Sequence, residues 1–518
     1  MTAGTREHPG ALAGRDGFGR VLRAEWTKLR TVRGWVLGLL GAGLATILIG
    51  GWAASGSQTG CAPIVRGHAV GPAACQHHVV LGPGGEGVTD SFYLVGRPLP
   101  GNGRLTVRVT GLAGGTAADN PGGQMTPGLQ PWAKAGLIVL ASTRPGAAYA
   151  AVMVTGGHGV RMQDDYTADT AGLPGPVSAA APRWLRLVRS GSAVTGYDSA
   201  DGRHWMRLGT ARLAGRPAEV RAGLFVASPL AVAAHTAGPT LAIASFDELS
   251  LAPGRPGAAW RGAQVGGARQ APIGGGLTQA DGEFTVRGSG DIAPAVAGSA
   301  GDKAAGGGLT GLFAGLIVVT VVATMFITTE YRRGLIRTTL AASPRRGQVL
   351  AAKTVVIGSV TFVIGLAAAA VVLPLGQHLL ESDGNYVLPI SWPTGLRVAV
   401  GSAALLALAA VLALALGAIL RRGAGPVTAV VALLVLPYFL ASPLSVLPAG
   451  AATWLLRITP AAGFAAEQAV TRYPQVSNAY TPEYGYYPLG PWAGLAVLAG
   501  WTALALGLAL VLFRRRDV

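Results

Sequence analysis

The sequence predicts an α-helical polytopic membrane protein with six transmembrane helices and an all-β jelly-roll or sandwich domain inserted between the first and second helices. Half of the 518 residues are hydrophobic and only 13% are charged, which is typical of an integral membrane protein. Uncharged apolar runs reach the length of about 20 residues that crosses a bilayer as a helix. Residues 55–303 lack such runs and contain short alternating segments separated by turn residues, as expected for a sandwich.

The membrane part is predicted from six apolar runs and from the arginines beside them. The runs are residues 34–54, 304–328, 354–376, 398–420, 426–447 and 491–513. Arg421 and Arg422 follow the fourth run, and three more arginines, residues 514–516, follow the sixth. Short arginine-rich loops stay in the cytoplasm. Both termini are therefore expected on the cytoplasmic side of the cell membrane, and residues 55–303 on the extracytoplasmic side.

Residues 1–33 are expected to form a cytoplasmic N-terminus that ends in an amphipathic helix, residues 18–33. A helix with one basic and one apolar face lies in the membrane interface, and the alternative is the basic flank of a signal peptide. The residues that characterise this helix are Glu25, Trp26, Lys28 and Arg30, together with Val21, Leu22 and Leu29 on the apolar face.

The linker between the second and third runs, residues 329–353, carries six basic residues against one acid, Glu330. One interpretation is a topology signal alone, because such loops are common in membrane proteins. The other interpretation is a coupling element that a soluble partner pushes. Residues 331–342 carry apolar side chains at helical spacing, and Pro344 is expected to break that short helix.

Two stretches resemble the ABC-2 type permeases, the membrane subunits of ATP-binding-cassette exporters. EYRRGLIRTTLAASPRRGQVLAAK, residues 330–353, is similar to their first cytoplasmic loop, and LRAEWTKLRTVRGWVLGLL, residues 22–40, to their interfacial helix and first span. The resemblance implies a separate ABC ATPase subunit that holds ATP and Mg²⁺, and an unidentified substrate moved outwards. It also implies that the chain is not itself an enzyme and works as a homodimer or beside a second permease.

In these permeases the loop contacts the ATPase, and an arginine there can pair bidentately with a carboxylate on the partner. The residues expected to couple ATP hydrolysis to transport are Glu330, Tyr331, Arg332, Arg333 and Arg337. Residues 449–487 are similar to the outward re-entrant helices of the family, and an ordinary outside loop is the alternative. A pore lined by Ala, Leu, Val and Gly would fit lipids, peptides or hydrophobic drugs, so the substrate class stays open.

The inserted domain is predicted to be rich in short strands. The predicted strands are residues 104–111, 135–141, 149–154, 184–189, 219–226 and 240–251, and a turn is expected near Asp201-Gly202. The order of these segments resembles concanavalin-A/laminin-G-like sandwich domains, which places the sandwich core at residues 90–251. Residues 252–303 are expected to be a return connector with one strand at residues 283–287.

Four aromatic residues of this domain are either core residues or surfaces that stack on sugars: Trp132, Tyr166, Trp184 and Trp205. The adjacent Asp164 and Asp165 face opposite sides of a strand, so they do not form the carboxylate pair of a glycosidase. No Cys or His spacing suits zinc. The alternative to a permease is a membrane-anchored sensor that binds a glycan or another ligand through the sandwich, although six spans argue against it.

Both cysteines, Cys61 and Cys75, follow the first apolar run. If this segment is extracytoplasmic, they are expected to form a disulfide, which would contribute roughly 3 kcal/mol in the chain-entropy model. Two free thiols are the alternative.

Several function classes are disfavoured by what the sequence lacks. The formal charge of +17 does not indicate nucleic-acid binding, because the basic residues cluster beside apolar runs and no groove-reading motif occurs. There is no Gly-Lys pair and therefore no P-loop, so no cofactor is expected in this chain itself. The six runs contain no Asp, Glu, Lys, Arg or His, which disfavours an ion-coupled transporter.

Overall fold

The computed structural model describes residues 17–515 apart from 57–63, 66–67, 70–79, 118–124, 216–218, 233–236, 254–258, 268–272, 299–308, 333, 335–345, 384, 386, 422, 442–446 and 479. Cys61, Cys75, Arg333 and Arg337 lie outside the described residues, so the disulfide and the roles of the two arginines stay predictions. The described part of the chain forms a helical bundle and a sandwich of two β-sheets.

The helices of the bundle follow the apolar runs of the sequence. They are α1 Phe18–Thr31, α2 Arg33–Ser55, α3 Leu312–Arg332, α4 Arg346–Ser382, α5 Trp392–Leu420, α6 Ala424–Leu440, α7 Ala449–Ile458 and α8 Pro491–Arg515, with a 3₁₀ helix at Pro460–Glu467. Within the described ranges, α2, α3, α4, α5 and α8 are long and apolar enough to cross a membrane.

Helix α6 is shorter than the sequence predicts. It is apolar but contains 17 residues, and it ends at Leu440 rather than at residue 447. Pro437 lies inside its last turn, where it has no N–H to donate to the preceding turn. The structure therefore contains five long apolar helices and one short one among the residues it describes, instead of six of full length.

Helix α5 is the centre of the bundle, because it packs against α3, α4 and α8. Its apolar stretch is 67% buried, the largest share among the five long helices. Small residues permit this close approach. A Cβ atom added at Gly417 would lie 2.8 Å from the Ile327 side chain of α3, so a larger residue there would force the two helices apart.

The sandwich consists of two antiparallel sheets. The first sheet contains, in spatial order, Ala168–Ala171, Val160–Asp164, Tyr149–Thr155, Lys134–Leu140, Glu219–Ala227, Phe92–Pro100 and Arg261–Val265. The second contains Met206–Arg212, Ala193–Ser199, Arg183–Ser190, Gly103–Thr116, Thr240–Ala252, Glu283–Gly288 and Gly276–Ala280, with Thr126–Pro127 beside Gly103–Thr116. Three short pairs join Ile64–Val65 to His68–Ala69, Val88–Asp90 to Ile292–Pro294, and Ala231–Val232 to Ala237–Gly238.

Alternate residues of facing strands fill the space between the two sheets. Val107 and Val109 of the second sheet share one buried cluster with Leu137 and Val139 of the first, as expected when every second side chain of a strand points inwards. The hairpin between Ala193–Ser199 and Met206–Arg212 contains Gly202 with φ +74°, which fits the turn that the sequence places there.

The sandwich is larger than the region that the sequence assigns to it. Arg261–Val265 pairs with Phe92–Pro100 at the edge of the first sheet, and Glu283–Gly288 pairs with Thr240–Ala252 in the second. The sandwich therefore extends to Gly288 rather than ending near residue 251. The strand expected at residues 283–287 is thus part of the second sheet, whereas the glycine- and proline-rich composition of residues 252–303 gave no sign of Arg261–Val265.

The sandwich contacts the segment that precedes α8, which includes residues 476–486. Val296 and Ala297, which follow the last strand, pack against Val476. The Ala297 N–H donates to the Tyr486 hydroxyl at 3.1 Å, and the Asn478 side chain donates to the Ala297 carbonyl at 2.6 Å. The sandwich consequently lies at the N-terminal end of α8.

Candidate functional site

Four charged side chains from three helices meet at the other end of the bundle. Lys353 Nζ lies 2.7 Å from Glu25 Oε2 and 2.7 Å from Glu330 Oε1. Lys28 Nζ lies 2.9 Å from Glu25 Oε1 and 3.2 Å from Glu330 Oε1. We refer to these four residues, Glu25, Lys28, Glu330 and Lys353, as the charge cluster.

Local helix geometry brings the four side chains together. Glu25 and Lys28 are three residues apart on α1, which places them on one face of that helix. Helix α3 continues to Arg332, beyond the predicted end of its span, and so carries Glu330 to the cluster. Helix α4 begins at Arg346, which places Lys353 two turns inside it. The cluster thus joins α1 to both helices that flank the 329–353 linker.

The cluster is largely removed from solvent. Lys353 and Glu25 are each 1% exposed and Glu330 is 5% exposed, whereas the Lys28 side chain is partly accessible. The Lys353 ammonium also lies 4.6 Å from the centroid of the Phe326 ring, a distance at which a cation is attracted to the ring face. An ion pair in such surroundings is much stronger than one in water, and breaking it leaves a buried charge.

The charges of the cluster balance, with two carboxylates facing two ammonium groups. Burial alone lowers the pKa of Lys28, but hydrogen bonds and charge from Glu25 and Glu330 outweigh burial, so the pKa of Lys28 is raised. Lys28 therefore stays charged over the physiological pH range. Glu330 Oε2 is buried and makes no hydrogen bond within the described structure.

A second layer of contacts surrounds Glu330. The ring of Tyr331 meets the Phe513 ring edge-on, with 6.5 Å between centroids, and the Arg421 guanidinium lies 5.1 Å from the Tyr331 ring. The Arg346 guanidinium donates to the Phe513 carbonyl at 3.1 Å. Phe513 is near the C-terminal end of α8, so the charge cluster and the sandwich lie at opposite ends of the bundle.

The structure separates residues that the sequence groups together. Glu330 does not share an exposed face with Arg332, because its carboxylate is buried and paired inside the protein. Tyr331 is half-buried, whereas Arg332 is exposed. On α1, Trp26 and Arg30 are exposed while Glu25 is turned inwards. The surface available to a partner therefore contains Trp26, Arg30 and Arg332.

The sequence did not predict that Lys353 pairs with Glu25 and Glu330. In the sequence, Lys353 is only one of the six basic residues of the linker. A signal for it exists, because the chain contains four lysines among 41 basic residues. Arginine supplies nearly all the charge beside the apolar runs, and a lysine directly precedes only two of the six runs, as Lys303 and Lys353.

The four aromatic residues of the sandwich do not form an open sugar-stacking surface. Tyr166 is 1% exposed, and its hydroxyl donates to Asp90 Oδ2 at 2.9 Å, so it is a core residue. Trp132 is buried and stacks on His158 with 3.8 Å between ring centroids.

The other two rings of this group are half-buried. The Arg186 guanidinium lies 3.6 Å from the Trp205 ring, and the Arg108 guanidinium lies 5.7 Å from the Trp184 ring. No group of three or more potential metal ligands occurs among the residues that were described.

The solved structures that resemble this chain share little sequence with it. No curated protein matches it. A functionally unknown protein from Saccharomyces cerevisiae is 16% identical over 31% of this chain and 74% of its own, with a TM-score of 0.17. The GH43 BlXynB protein from Bacillus licheniformis is 14% identical over 29% of this chain and 27% of its own, with a TM-score of 0.19. At these TM-scores neither likeness carries an argument about this chain.

A family model gives a more extensive match. The model described as ABC-2 family transporter protein covers residues 163–518, which include the C-terminal half of the sandwich and every helix from α3 to α8. Because this match spans more than half of the chain, the protein belongs to the ABC-2 transporter family.

Proposed function

We propose that this chain is the membrane subunit of an ATP-binding-cassette exporter and that a separate ATPase subunit, which holds ATP and Mg²⁺, drives it from the cytoplasmic side. The observation that carries this proposal is the charge cluster. Its ion pairs connect α1 to α3 and α4, two apolar helices that are long enough to span a membrane. Helix α1 also has an exposed basic surface. A force applied to α1 would thus reach both helices.

The strength of this connection follows from burial. Separating Lys353 from Glu25 and Glu330 would leave its ammonium group unpaired in a poorly solvated site and would remove one of two cations from the carboxylates, which is strongly unfavourable. The end of α3, the start of α4 and the middle of α1 are therefore expected to move as one unit. The exposed groups on that unit that a partner can contact include Trp26, Arg30 and Arg332.

The proposed topology places the charge cluster inside the cell and the sandwich outside it. It rests on the arginines beside the apolar runs and on the position of the two regions at opposite ends of the bundle. In this arrangement the sandwich is inserted between the first and second spans, α2 and α3. Helix α6 would be the fifth of six spans, since 17 residues rise about 26 Å against a hydrocarbon core of about 30 Å.

Two further features belong to the same proposal. Cys61 and Cys75 would face an oxidising compartment and form a disulfide. Mass spectrometry of non-reduced peptides would detect the cross-link, whereas two alkylatable thiols in freshly isolated protein would refute it. Two permease units would act with two ATPase subunits, in a homodimer or with a second permease.

A cross-linking experiment tests the docking surface. A photo-reactive amino acid replaces Arg30 on α1 or Arg332 at the end of α3, and the matched control replaces Arg203, an exposed arginine of the sandwich. We expect irradiation of whole cells to attach a P-loop ATPase at positions 30 and 332 only. An ATPase attached at position 203, or at none of the three positions, would contradict the proposal.

A charge reversal tests whether the linker matters beyond topology. The double variant Arg332→Glu/Arg333→Glu should reach wild-type levels in the membrane, because other arginines hold the topology, and should fail to recover the ATPase in a pull-down. Arg203→Glu/Arg212→Glu in the sandwich changes the net charge equally and should recover it normally. If the linker variant recovers the ATPase normally and stimulates its activity normally, the loop acts only as a topology signal.

A further inference from the structure

A cavity of about 390 Å³ lies near the N-terminal end of α8, at the end of the bundle that carries the sandwich. Its walls come from α7, the residues that directly follow α6 and the 3₁₀ helix, and the segment that leads into α8. The lining residues used below are Arg457, Gln468, Arg472, Tyr480 and Thr481.

Two arginines give this cavity a positive charge. Arg457 and Arg472 are its only charged residues, since no acidic residue is among those that line it in the described structure. The Arg472 guanidinium lies 4.8 Å from the centroid of the Tyr480 ring, and the Arg457 guanidinium lies 5.7 Å from the Trp454 ring. These rings hold the guanidinium groups without neutralising them, so both can still donate to an anion.

Two residues that line the cavity each have a polar side-chain atom without a hydrogen-bond partner in the described part of the chain. Gln468 Oε1 and Thr481 Oγ1 are buried and make no hydrogen bond within the described structure. The Gln468 amide nitrogen is already engaged, since it donates to the Val470 carbonyl at 3.2 Å, so its oxygen is the group that needs a donor. Buried polar atoms without partners are rare in folded proteins. A ligand with hydroxyl groups would satisfy both atoms.

The cavity lies at the level where lipid headgroups are expected. Trp454 on α7 and Trp492 at the start of α8 are each 60% exposed. The indole N–H of Trp501 donates to the Ile458 carbonyl at 2.8 Å and thereby holds the end of α7 against α8. Exposed tryptophans at the ends of spanning helices mark the boundary between the hydrocarbon core and water.

From these observations we infer that the cavity binds a phosphorylated amphiphile whose headgroup also carries hydroxyl groups, of the chemical type of a glycerol phosphate. The phosphate would accept hydrogen bonds from Arg457 and Arg472. The hydroxyl groups would donate to Gln468 Oε1 and bond to Thr481 Oγ1. This inference does not depend on the ATPase or on the direction of transport, and a soluble phosphorylated polyol presents the same chemistry as the lipid headgroup.

The test measures lipid retention by the full-length protein. The protein is reconstituted in nanodiscs that contain phosphatidylglycerol and phosphatidylcholine, then transferred to detergent, and bound lipid is counted by native mass spectrometry. The variant Arg457→Gln/Arg472→Gln is compared with Arg203→Gln/Arg212→Gln, which removes two exposed arginines of the sandwich. Since a hydrogen bond to a charged group is strong, we expect the first variant to retain phosphatidylglycerol about tenfold less and the second to behave as wild type.

Two additional measurements keep the test decisive. Thr481→Val removes only a hydroxyl that has no partner among the described residues, so it should fold normally and still reduce phosphatidylglycerol retention. Glycerol 3-phosphate binding to the purified protein is measured in parallel. Loss of that binding in the arginine variant, with lipid retention unchanged, would support the site with a soluble ligand. Wild-type behaviour of both variants towards both probes would overturn the inference.

Discussion

The two ends of the helical bundle are held together by different interactions. At one end, α1, α3 and α4 are joined by buried ion pairs of the charge cluster, with Lys353 at the centre. At the other end, the sandwich and the segment before α8 are joined by neutral contacts, such as the hydrogen bonds of Ala297 with Tyr486 and Asn478.

This difference has a mechanical consequence. Buried ion pairs are costly to separate and depend on exact pairing, so the charge-cluster end is suited to transmit force between helices. Neutral hydrogen bonds and tyrosine packing are each weaker and adjust more readily. In the proposed topology the stiff end faces the ATPase and the adaptable end faces the outside.

The largest effect should come from Lys353→Met. Among the described residues, this change leaves the buried carboxylates of Glu25 and Glu330 with the partly exposed Lys28 as their one cationic partner. We expect a loss of about 3–5 kcal/mol of stability, measured as a lower melting temperature and a lower folded yield in detergent. A melting temperature equal to that of the wild type would mean that the cluster does not hold the helices together.

A double variant sharpens this prediction. Glu330→Gln/Lys353→Met removes one charge of each sign and keeps the Glu25–Lys28 pair, whose atoms are 2.9 Å apart. Removing both partners of a buried pair costs less than removing one, so the double variant should be more stable than Lys353→Met alone. Additive losses in the double variant would contradict direct pairing of the two residues.

The next effect concerns a buried lysine in the sandwich. Lys134 Nζ lies 2.6 Å from Asp291 Oδ1 and 2.7 Å from the Ile292 carbonyl, and the Lys134 side chain is completely buried. Lys134→Met leaves one carboxylate unpaired, and we expect a loss of about 3 kcal/mol. Hydrogen exchange of the full-length protein should show lost protection in the first sheet, while α3 and α4 remain protected as in the wild type.

The sandwich should also depend on pH through Asp90. Burial raises the pKa of Asp90 from 3.8 to about 6, although hydrogen bonds from the Gly146 N–H and the Tyr166 hydroxyl lower it. The folded protein therefore binds this proton more tightly than the unfolded chain does. The resulting stability is greatest below pH 4 and is lost as the pH rises through 6, by at most about 3 kcal/mol.

Asp90→Asn isolates this pH effect, because an amide oxygen still accepts both hydrogen bonds and does not ionise. Protection of Lys134–Leu140 against hydrogen exchange should fall between pH 4 and pH 7 in the wild type. It should stay nearly constant in the variant, after correction for the intrinsic exchange rate. The same pH dependence in both proteins would exclude Asp90 as the titrating group.

The smallest effect is expected for a surface pair of the sandwich. Arg108 and Asp247 pair across neighbouring strands of the second sheet, and both side chains remain about one-third exposed. Solvent screens such a pair, so Asp247→Asn should cost less than about 1 kcal/mol. A shift in melting temperature as large as that of Lys134→Met would show that exposure does not distinguish the two ion pairs.

Much of the fold could be predicted from the sequence, because hydrophobic periodicity directly reflects burial. The predicted run at residues 34–54 corresponds to α2 at Arg33–Ser55, and the run at residues 240–251 corresponds to the strand Thr240–Ala252. Edge strands such as Arg261–Val265 were missed, because an edge strand buries little surface and its residues are mostly exposed.

The charge cluster was harder to predict, because charged residues next to an apolar run indicate a loop outside the membrane. Glu330 and Lys353 were both assigned to the linker, whereas the structure places them inside α3 and α4. Their mutual pairing at 2.7 Å allows both helices to continue past the apolar runs. Pairing between residues distant in sequence cannot be read from composition, although the rarity of lysine draws attention to Lys303 and Lys353, which directly precede apolar runs.

The most direct test of the account is to determine which end of the bundle faces the cytoplasm. Single cysteines replace Thr31 at the end of α1 or Ala200 in the sandwich, both exposed, in a background with Cys61→Ser and Cys75→Ser. A membrane-impermeant maleimide is then applied to intact and to permeabilised cells. The account predicts labelling at position 200 in intact cells and at position 31 only after permeabilisation. Labelling of position 31 but not of position 200 in intact cells would invert the topology and contradict the proposed permease.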